Sequence, residues 1–378
     1  MLKNSVNILI DLTLLVIIGF NLLWVFRNDG LRDFGSFIAS GQAANSEENP
    51  YKGNNPLTFT VTFKPLNLKV PSYNLNPPIS VVFFQYLAYL AKITPLISYR
   101  LWQGFSFLCY IFLVIIYGIY TQIKLSFQKI LWAFSFAGLW HTIDLGQIYL
   151  PFALLFGIAL ILLENQKFDW VAGILLGICI AIKPNFLLII VFLLLLKKFR
   201  ASLFALASAA MISVIPVFMY GIDIYHQWRI AVSAYNGYAI PGNNSILGLL
   251  IRFGLEDLNP VFILLLIILG LILVWIYRYD IFSTGIISLI ITLLISPVAW
   301  PGYTIFLLPY FLKYKWNILS SISAAILSVP VLVIFDNYYY SQFHLVFLGW
   351  LYGWSLLLLF ISITIKGKSR GLVDEKAH

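Results

Sequence analysis

The chain has 378 residues, of which 61% are hydrophobic, 17% aromatic and only 10% charged, with a formal net charge of +9. That balance lies far outside the range of soluble domains and reads as an all-α, polytopic integral-membrane protein, one domain over residues 1–368 without a soluble appendage. The basic excess does not point to nucleic acid, because it sits in short turns such as Lys197-Lys198-Phe199-Arg200 and in the tail at Lys366-Gly367-Lys368, as expected of cytoplasmic turns.

From the N-terminus, Val6 to Phe26 is a run of about 20 residues with no small-residue cleavage site after it, read as a retained first span. Further apolar segments follow at 78–91, 99–120, 130–143, 145–163, 170–182, 184–196, 201–220, 259–277, 281–296, 303–313, 317–335 and 344–365. Placing Lys3, Lys124 to Lys129, Lys167, Lys197 to Arg200, Arg278, Lys313 to Lys315 and the tail inside makes the runs alternate and leaves both termini cytoplasmic. Thirteen crossings would put the tail outside, and several runs fall short of the ~20 residues a span needs. The expectation is therefore about 12 transmembrane helices, with 78–91 re-entrant or interfacial. Residues 369–378 read as a disordered cytoplasmic tail.

Two outward loops are long, 27–77 and 221–258, and polar residues outside the basic turns collect on that same side. In the first loop, Phe34, Phe37 and Ile38 recur at helical spacing after Asp33, which predicts a short interfacial helix with Asp33 near its start. Asp33 is either a cap for that helix or a functional acid just outside a membrane span. The turn Trp140-His141-Thr142-Ile143-Asp144-Leu145-Gly146-Gln147 brings polar groups to a junction of two apolar runs. His141 and Gln147 there either pair to hold the hairpin or hydrogen-bond a polar ligand.

Lys183-Pro184-Asn185 interrupts the apolar stretch from Val171 to Leu196. Proline favours the first turn of a helix, so free N–H groups and a lysine stand together, suited to a phosphate; the alternative is a lysine snorkelling to headgroups. The 221–258 loop mixes aromatics and amides, including Tyr235, Asn236, Tyr238, Asn243, Asn244 and Ser245, a combination that fits carbohydrate or an interfacial aromatic belt. Arg252 is a candidate bidentate phosphate ligand. In Ser296-Pro297-Val298-Ala299-Trp300-Pro301-Gly302-Tyr303 two prolines and a glycine force a non-helical turn, with Trp300 available to stack on a sugar or to pack. Asp11, inside the first span, is read as hydrogen-bonding a neighbouring helix, and Tyr338-Tyr339-Tyr340 as interface anchoring. Cys109 and Cys179 lie in apolar runs, against a disulfide or thiolate metal site. No metal-ligand spacing, nucleotide-binding glycine loop or Gly-x-Ser-x-Gly elbow occurs, so no metal or cofactor is expected.

The ordered set Asp33-Phe34, Ala39, Gly41 and Pro50-Tyr51; Pro77-Pro78 leading to Tyr99-Arg100-Leu101-Trp102; Gly146-Gln147; Gly173 and Gly177 leading to Lys183-Pro184; Asn244-Ser245 with Gly248 and Arg252; and Ser296-Pro297 with Trp300 resembles glycosyltransferase family 87, polyprenyl-phosphate-mannose-dependent mannosyltransferases of the GT-C superfold. The resemblance implies a GT-C bundle in the plasma membrane whose extracytoplasmic first loop carries interfacial helices. It implies inverting transfer of a hexose, mannose first, from a polyprenyl-phosphate sugar to a lipid or glycan acceptor, without a metal. Asp33 would be the catalytic base, Lys183 and Arg252 would bind the donor phosphate, and His141, Gln147, Asn244, Ser245, Trp300 and Tyr303 would bind substrate. Many members have a histidine shortly after the Ser-Pro-x-x-Trp motif; here Pro301-Gly302-Tyr303 follows. The rival readings are a transporter or flippase of lipid-linked glycans, and a non-catalytic subunit of an envelope-polymer assembly complex.

Overall fold

The apolar runs become helices almost throughout, and polar or proline-bearing interruptions decide where they break. The computed structural model describes residues 2–27, 30–52, 57, 60–63, 68–71, 74–91, 94–121, 125–277, 280–337 and 341–374. In chain order the helices are α1 (Leu2–Arg27), α2 (Arg32–Asn45), α3 (Ile79–Ala91), α4 (Pro95–Tyr120), α5 (Phe127–Ser135), α6 (Ala137–Leu145), α7 (Tyr149–Asn165), α8 (Asp169–Ile182), α9 (Leu188–Leu195) and α10 (Phe199–Tyr220). They continue as α11 (Asp223–Ser233), α12 (Ile246–Phe253), α13 (Asn259–Tyr277), α14 (Ile281–Ile295), α15 (Leu308–Lys313), α16 (Ile318–Ile326), α17 (Val331–Asn337), α18 (Gln342–Phe347) and α19 (Leu351–Asp374). The expected all-α architecture holds apart from one antiparallel hairpin in the first long loop, where β1 (Thr60–Phe63) pairs with β2 (Leu68–Pro71), Thr60 opposite Pro71.

Among the described residues, four helices are long and apolar enough to cross a membrane: Ser5–Arg27, Pro95–Tyr120, Phe199–Tyr220 and Glu256–Tyr277. Six shorter apolar helices accompany them, Ile79–Ala91, Tyr149–Asn165, Asp169–Ile182, Pro184–Leu195, Ile281–Ile295 and Leu351–Ile365. Several segments read from sequence as single spans are broken. The 130–143 segment divides at Phe136, whose extended backbone (ψ 120°) separates α5 from α6. The 317–335 segment divides into α16 and α17, and 344–365 into α18 and α19. A 3-10 turn, Pro184–Leu187, precedes α9, and another, Pro301–Leu307, precedes α15. Such breaks need local partners, since a bilayer offers none. At Phe136 the bundle provides them: Ala137 N donates to Leu327 O (2.7 Å), Trp132 Nε1 to Ala324 O (2.8 Å) and Ser135 Oγ to Ser328 Oγ (3.1 Å).

Glycines set the closest approaches. A methyl at Gly41 of α2 would overlap the Phe84 carbonyl of α3, and one at Gly173 or Gly177 of α8 would overlap the backbone of α10 at Ala201 or Ala205. Small residues thus let helix backbones meet directly, as is common in membrane bundles. The α19 backbone continues to Asp374, past the point where the polar tail was expected to begin at Ser369. The Tyr338-Tyr339-Tyr340 run and Arg278 lie outside the described residues.

Helix α7 separates two polar clusters at its ends, about 25 Å apart at 1.5 Å per residue. At its C-terminal end Lys313 Nζ is paired with Glu164, which accepts the Tyr120 hydroxyl (2.5 Å); Tyr314 donates to Asp280 (2.7 Å), the N-cap of α14. Lys198 pairs with Asp169 at 3.2 Å, at the N-terminal end of α8. The cluster at the N-terminal end of α7 is of a different kind.

Candidate active site

Asp33 lies in the first turn of α2, whose N-cap is Leu31. It is therefore not the cap, the alternative that the sequence left open. The helix forms as the spacing of Phe34, Phe37 and Ile38 predicted, but every residue from Phe34 to Gly41 is buried, so protein encloses it on all faces and not on the apolar one alone. Arg32, just before Asp33, holds a left-handed backbone (φ 50°).

Gly146 makes the partner turn possible. It ends α6 at φ +63°, a conformation that costs glycine little, and a Cβ there would sit 2.7 Å from Phe34 Cβ and 2.8 Å from Tyr99 Cε2. Three side chains of α4 hold that turn by its carbonyls. The Tyr99 hydroxyl donates to Asp144 O, Trp102 Nε1 to Gly146 O (2.9 Å) and Gln103 Nε2 to Ile143 O (2.8 Å). Arg100 Nη1 adds Val25 O of α1 (3.1 Å). The Tyr-Arg-Leu-Trp sequence is thereby explained as a brace for the turn that carries Gln147.

On that turn Gln147 Nε2 donates to Asp33 Oδ2. Gln147 is 6% exposed, and its Oε1 is buried with no hydrogen-bond partner among the described residues; so is Nδ1 of His141. Two polar groups in one turn are thus left without protein partners, a costly arrangement unless a ligand supplies them.

Two residues beyond Gln147, Tyr149 opens α7 and stacks on Tyr303, with ring centroids 4.4 Å apart. Lys183 Nζ donates to the Tyr303 hydroxyl at 2.9 Å and lies 5.1 Å from the centroid of each ring. Among the described residues no carboxylate pairs with Lys183, so the aromatic faces and one phenol are its company. A cation without a counter-ion, half-buried beside a carboxylate site, is an anion receptor in waiting. The Lys183 segment is fixed by Asn185 Nδ2 donating to Ser296 Oγ (2.5 Å), which ties it to the turn that delivers Tyr303. Gly302 brings that turn in: a Cβ there would meet Thr142 Oγ1 at 2.9 Å, Tyr149 Cδ2 at 3.0 Å and His141 Nδ1 at 3.2 Å. Trp300 is half-buried against the core, its carbonyl accepting from Tyr303 N (2.9 Å).

The remaining candidates serve the loop. Asn244 Nδ2 donates to Gly242 O (2.6 Å) and Ala299 O (3.1 Å) while its Oδ1 accepts from Gly353 N (3.2 Å). Ser245 caps α12 through Gly248 N (3.0 Å) and donates to Pro297 O (3.2 Å). Both are at most 1% exposed. Arg252 is also buried, and Nη1 and Nη2 donate to Ile240 O (3.1 Å) and Asn243 O (3.0 Å). Burial pushes its guanidinium down to about 9, still charged at neutral pH. These three side chains, read from sequence as substrate or phosphate ligands, hold the loop at 240–245, although Arg252 Nε is buried with no hydrogen-bond partner among the described residues. The hub is Asn243, which sequence reading left in the background: it donates to Tyr238 O (2.9 Å) and Pro297 O (3.0 Å) and accepts from Ser245 N (3.2 Å) and Ala299 N (2.8 Å). Tyr149 was missed altogether; its position directly after the Gly146-Gln147 turn was the available signal.

A sequence profile described as glycosyltransferase family 87 matches residues 74–297, well over half of the chain. The chain belongs to glycosyltransferase family 87. No curated protein and no solved structure gives a significant match. Family 87 membership makes this a membrane glycosyltransferase, in keeping with the four long apolar helices. The family 87 match takes in Gln147, Tyr149, Lys183 and Arg252, whereas Asp33 before it and Tyr303 after it join the site through the contacts described above.

Proposed function

We propose that this family 87 protein transfers a hexose, mannose in the first instance, from a polyprenyl-phosphate sugar to a lipid or glycan acceptor, with inversion, at the extracytoplasmic face of the plasma membrane. Asp33 is the general base. The observation that carries the reading is the chain of contacts running from Asp33 through Gln147 and the Tyr149–Tyr303 stack to Lys183, an acid and an anion receptor joined in one site.

The acceptor hydroxyl attacks the anomeric carbon as the bond from that carbon to the phosphate oxygen breaks. Its proton passes to the Asp33 carboxylate, and the electron pair leaves with the lipid phosphate. Gln147 holds the carboxylate in place through its amide N–H, which suits a base that must stay within hydrogen-bond reach of the attacking hydroxyl. Lys183 offsets the charge that grows on the leaving phosphate, its ammonium positioned beforehand by two tyrosine rings. The unpartnered Gln147 Oε1 and His141 Nδ1 accept hydroxyl hydrogens of the substrate. Arg252 is left out of the phosphate site because both its terminal nitrogens hold backbone carbonyls.

The test is transfer of radiolabelled mannose from polyprenyl-phosphate mannose to a membrane lipid extract by the purified protein and its Asp33→Asn variant. The native protein should move label and the variant should be slower by about 10²-fold or more, the usual scale for a general base. Equal transfer by the two proteins would remove Asp33 from the chemistry, and no transfer from this donor by the native protein would remove the donor assignment.

A further inference from the structure

Tyr149, Lys183 and Tyr303 meet from three separate segments: the first residue of α7, the break before the 3-10 turn Pro184–Leu187, and the 3-10 turn Pro301–Leu307. The last two segments are pinned from behind. Lys183 N donates to Cys179 O (2.8 Å) and Asn185 is tied to Ser296, while Tyr303 N donates to Trp300 O (2.9 Å) and Thr304 Oγ1 to Pro301 O (2.6 Å). A lysine brings three N–H donors and no acceptor, and a phenol brings one O–H donor. One ammonium N–H is spent on the Tyr303 oxygen at 2.9 Å, and between two stacked rings at most one phenolic O–H can be spent on the other phenol. The other ammonium N–H groups and at least one phenolic O–H then have no protein acceptor. Among the described residues no carboxylate or backbone carbonyl takes a hydrogen bond from any of these three side chains. Tyr149 and Tyr303 are both buried, which makes an unspent O–H there costly until a ligand accepts it.

A cluster made only of donors, with one positive charge, selects among phosphates by charge and by protonation. A phosphate that keeps a P–OH group needs an acceptor, which this cluster does not offer. A diester carries one negative charge, whereas a monoester carries close to two at neutral pH. In the transfer described above, the bond from the anomeric carbon to the phosphate oxygen breaks with its electron pair left on that oxygen, and the acceptor proton goes to Asp33. The lipid phosphate thereby passes from a singly charged diester to a doubly charged monoester. We propose that Lys183, Tyr149 and Tyr303 form a donor-only cradle for a lipid phosphate monoester dianion, in which a hydroxyl of the tyrosine pair is a further catalytic donor to the leaving phosphate. The proposal rests on the reading of this site as one for a sugar carried on a lipid phosphate. Donors that are already aimed gain most as the second charge develops, which is the kind of binding that speeds transfer. The cradle accordingly holds the product lipid more tightly than a singly charged lipid of the same chain.

The experiment measures, at neutral pH, binding of polyprenyl phosphate and of its methyl diester to the full-length protein in phosphatidylcholine vesicles. The two lipids share a chain and lack a sugar; the diester carries one charge fewer. The native protein should prefer the monoester by about tenfold or more, the scale of a hydrogen bond to a charged group. The double variant Tyr149→Phe/Tyr303→Phe keeps both rings and the ammonium and removes both hydroxyls. It should lose about threefold to tenfold on the monoester and less on the diester, so the preference narrows. A native protein that binds the two lipids equally, or prefers the diester, overturns the cradle but leaves the phosphate site standing. A double variant that keeps the native preference, whether by binding both lipids as before or by losing both equally, overturns the role of the phenols. Should the double variant unfold, the same ratio measured on Tyr303→Phe decides. A native protein that binds neither lipid overturns the underlying reading as well.

Discussion

Gln147 donates its side-chain amide to the carboxylate of Asp33, across 114 positions of sequence. The bond joins a helix of the first long loop to the turn between α6 and α7, and it is the contact on which the base assignment stands. Gln147→Leu removes the donor while keeping the bulk. A hydrogen bond to a charged group is worth about 1.5–3 kcal/mol, so transfer should fall about tenfold to a hundredfold. Gln147→Glu should be worse, because a second carboxylate beside Asp33 repels the first and favours its protonated form; the acid limb of the rate–pH profile then moves to higher pH. An unaltered rate in both variants would sever Gln147 from the chemistry.

Lys183 has two aromatic faces and one phenol for company, and among the described residues no carboxylate pairs with it. Lys183→Met should lower kcat by about 10²-fold, the scale of removing one electrostatic stabiliser of the transition state, with little change in melting temperature. Tyr303→Phe keeps the ring stack and loses only the 2.9 Å hydrogen bond, so a drop of about threefold to tenfold is expected. Steady-state kinetics with thermal melts on the same samples separate the two effects.

Gly146→Ala places a methyl against Phe34 and Tyr99 at a backbone φ of +63°. Overpacking and left-handed strain together cost about 2–4 kcal/mol. Transfer should suffer as well, since Gln147 is carried by that turn. A variant that melts and turns over like the native protein would refute the close approach of α2 to this turn.

Arg252→Met and Asn243→Ala should both act on stability first. Each leaves buried backbone groups unpaired, at about 1–3 kcal/mol for each group stranded. A phosphate ligand would instead show as a loss of donor binding at unchanged melting temperature, so isothermal binding beside a thermal melt distinguishes the roles.

Lys313→Met cuts the pair with Glu164 at the far end of α7. Glu164 is 31% exposed, so solvent softens the loss, and about 1–2 kcal/mol of stability is expected to go. Because that cluster lies about 25 Å from Tyr149, KM and kcat of the remaining folded protein should be unchanged; a shift in either would reveal coupling along α7.

Much of the fold was legible because a bilayer leaves a chain few choices: long apolar runs must be helical, and α1, α4, α10 and α13 are. The short helix after Asp33 was legible from its apolar spacing, but not that protein would bury Phe34 to Gly41 on every face. Breaks such as Phe136 were not, since no proline or glycine marks it; the extended residue is stabilised by Leu327 O and Ala324 O, nearly 200 positions away in sequence. Ser245, Asn244 and Arg252 illustrate the limit from the other side. Amides, hydroxyls and guanidinium groups serve equally to bind sugar or to tie a loop, and only their neighbours decide which.

By itself, then, the sequence determined the membrane character, the helical class and the family, because composition, run length and ordered motifs are local properties of the chain. It also named Asp33, Lys183, Gln147 and Tyr303 separately. Only the tertiary structure decided that Gln147 reaches Asp33, that Tyr149 and Tyr303 stack on each other beside Lys183, and that Arg252 faces backbone carbonyls. Those are relations between polar groups on different helices, set by how closely Gly146 and Gly302 let backbones approach, and no local pattern encodes them.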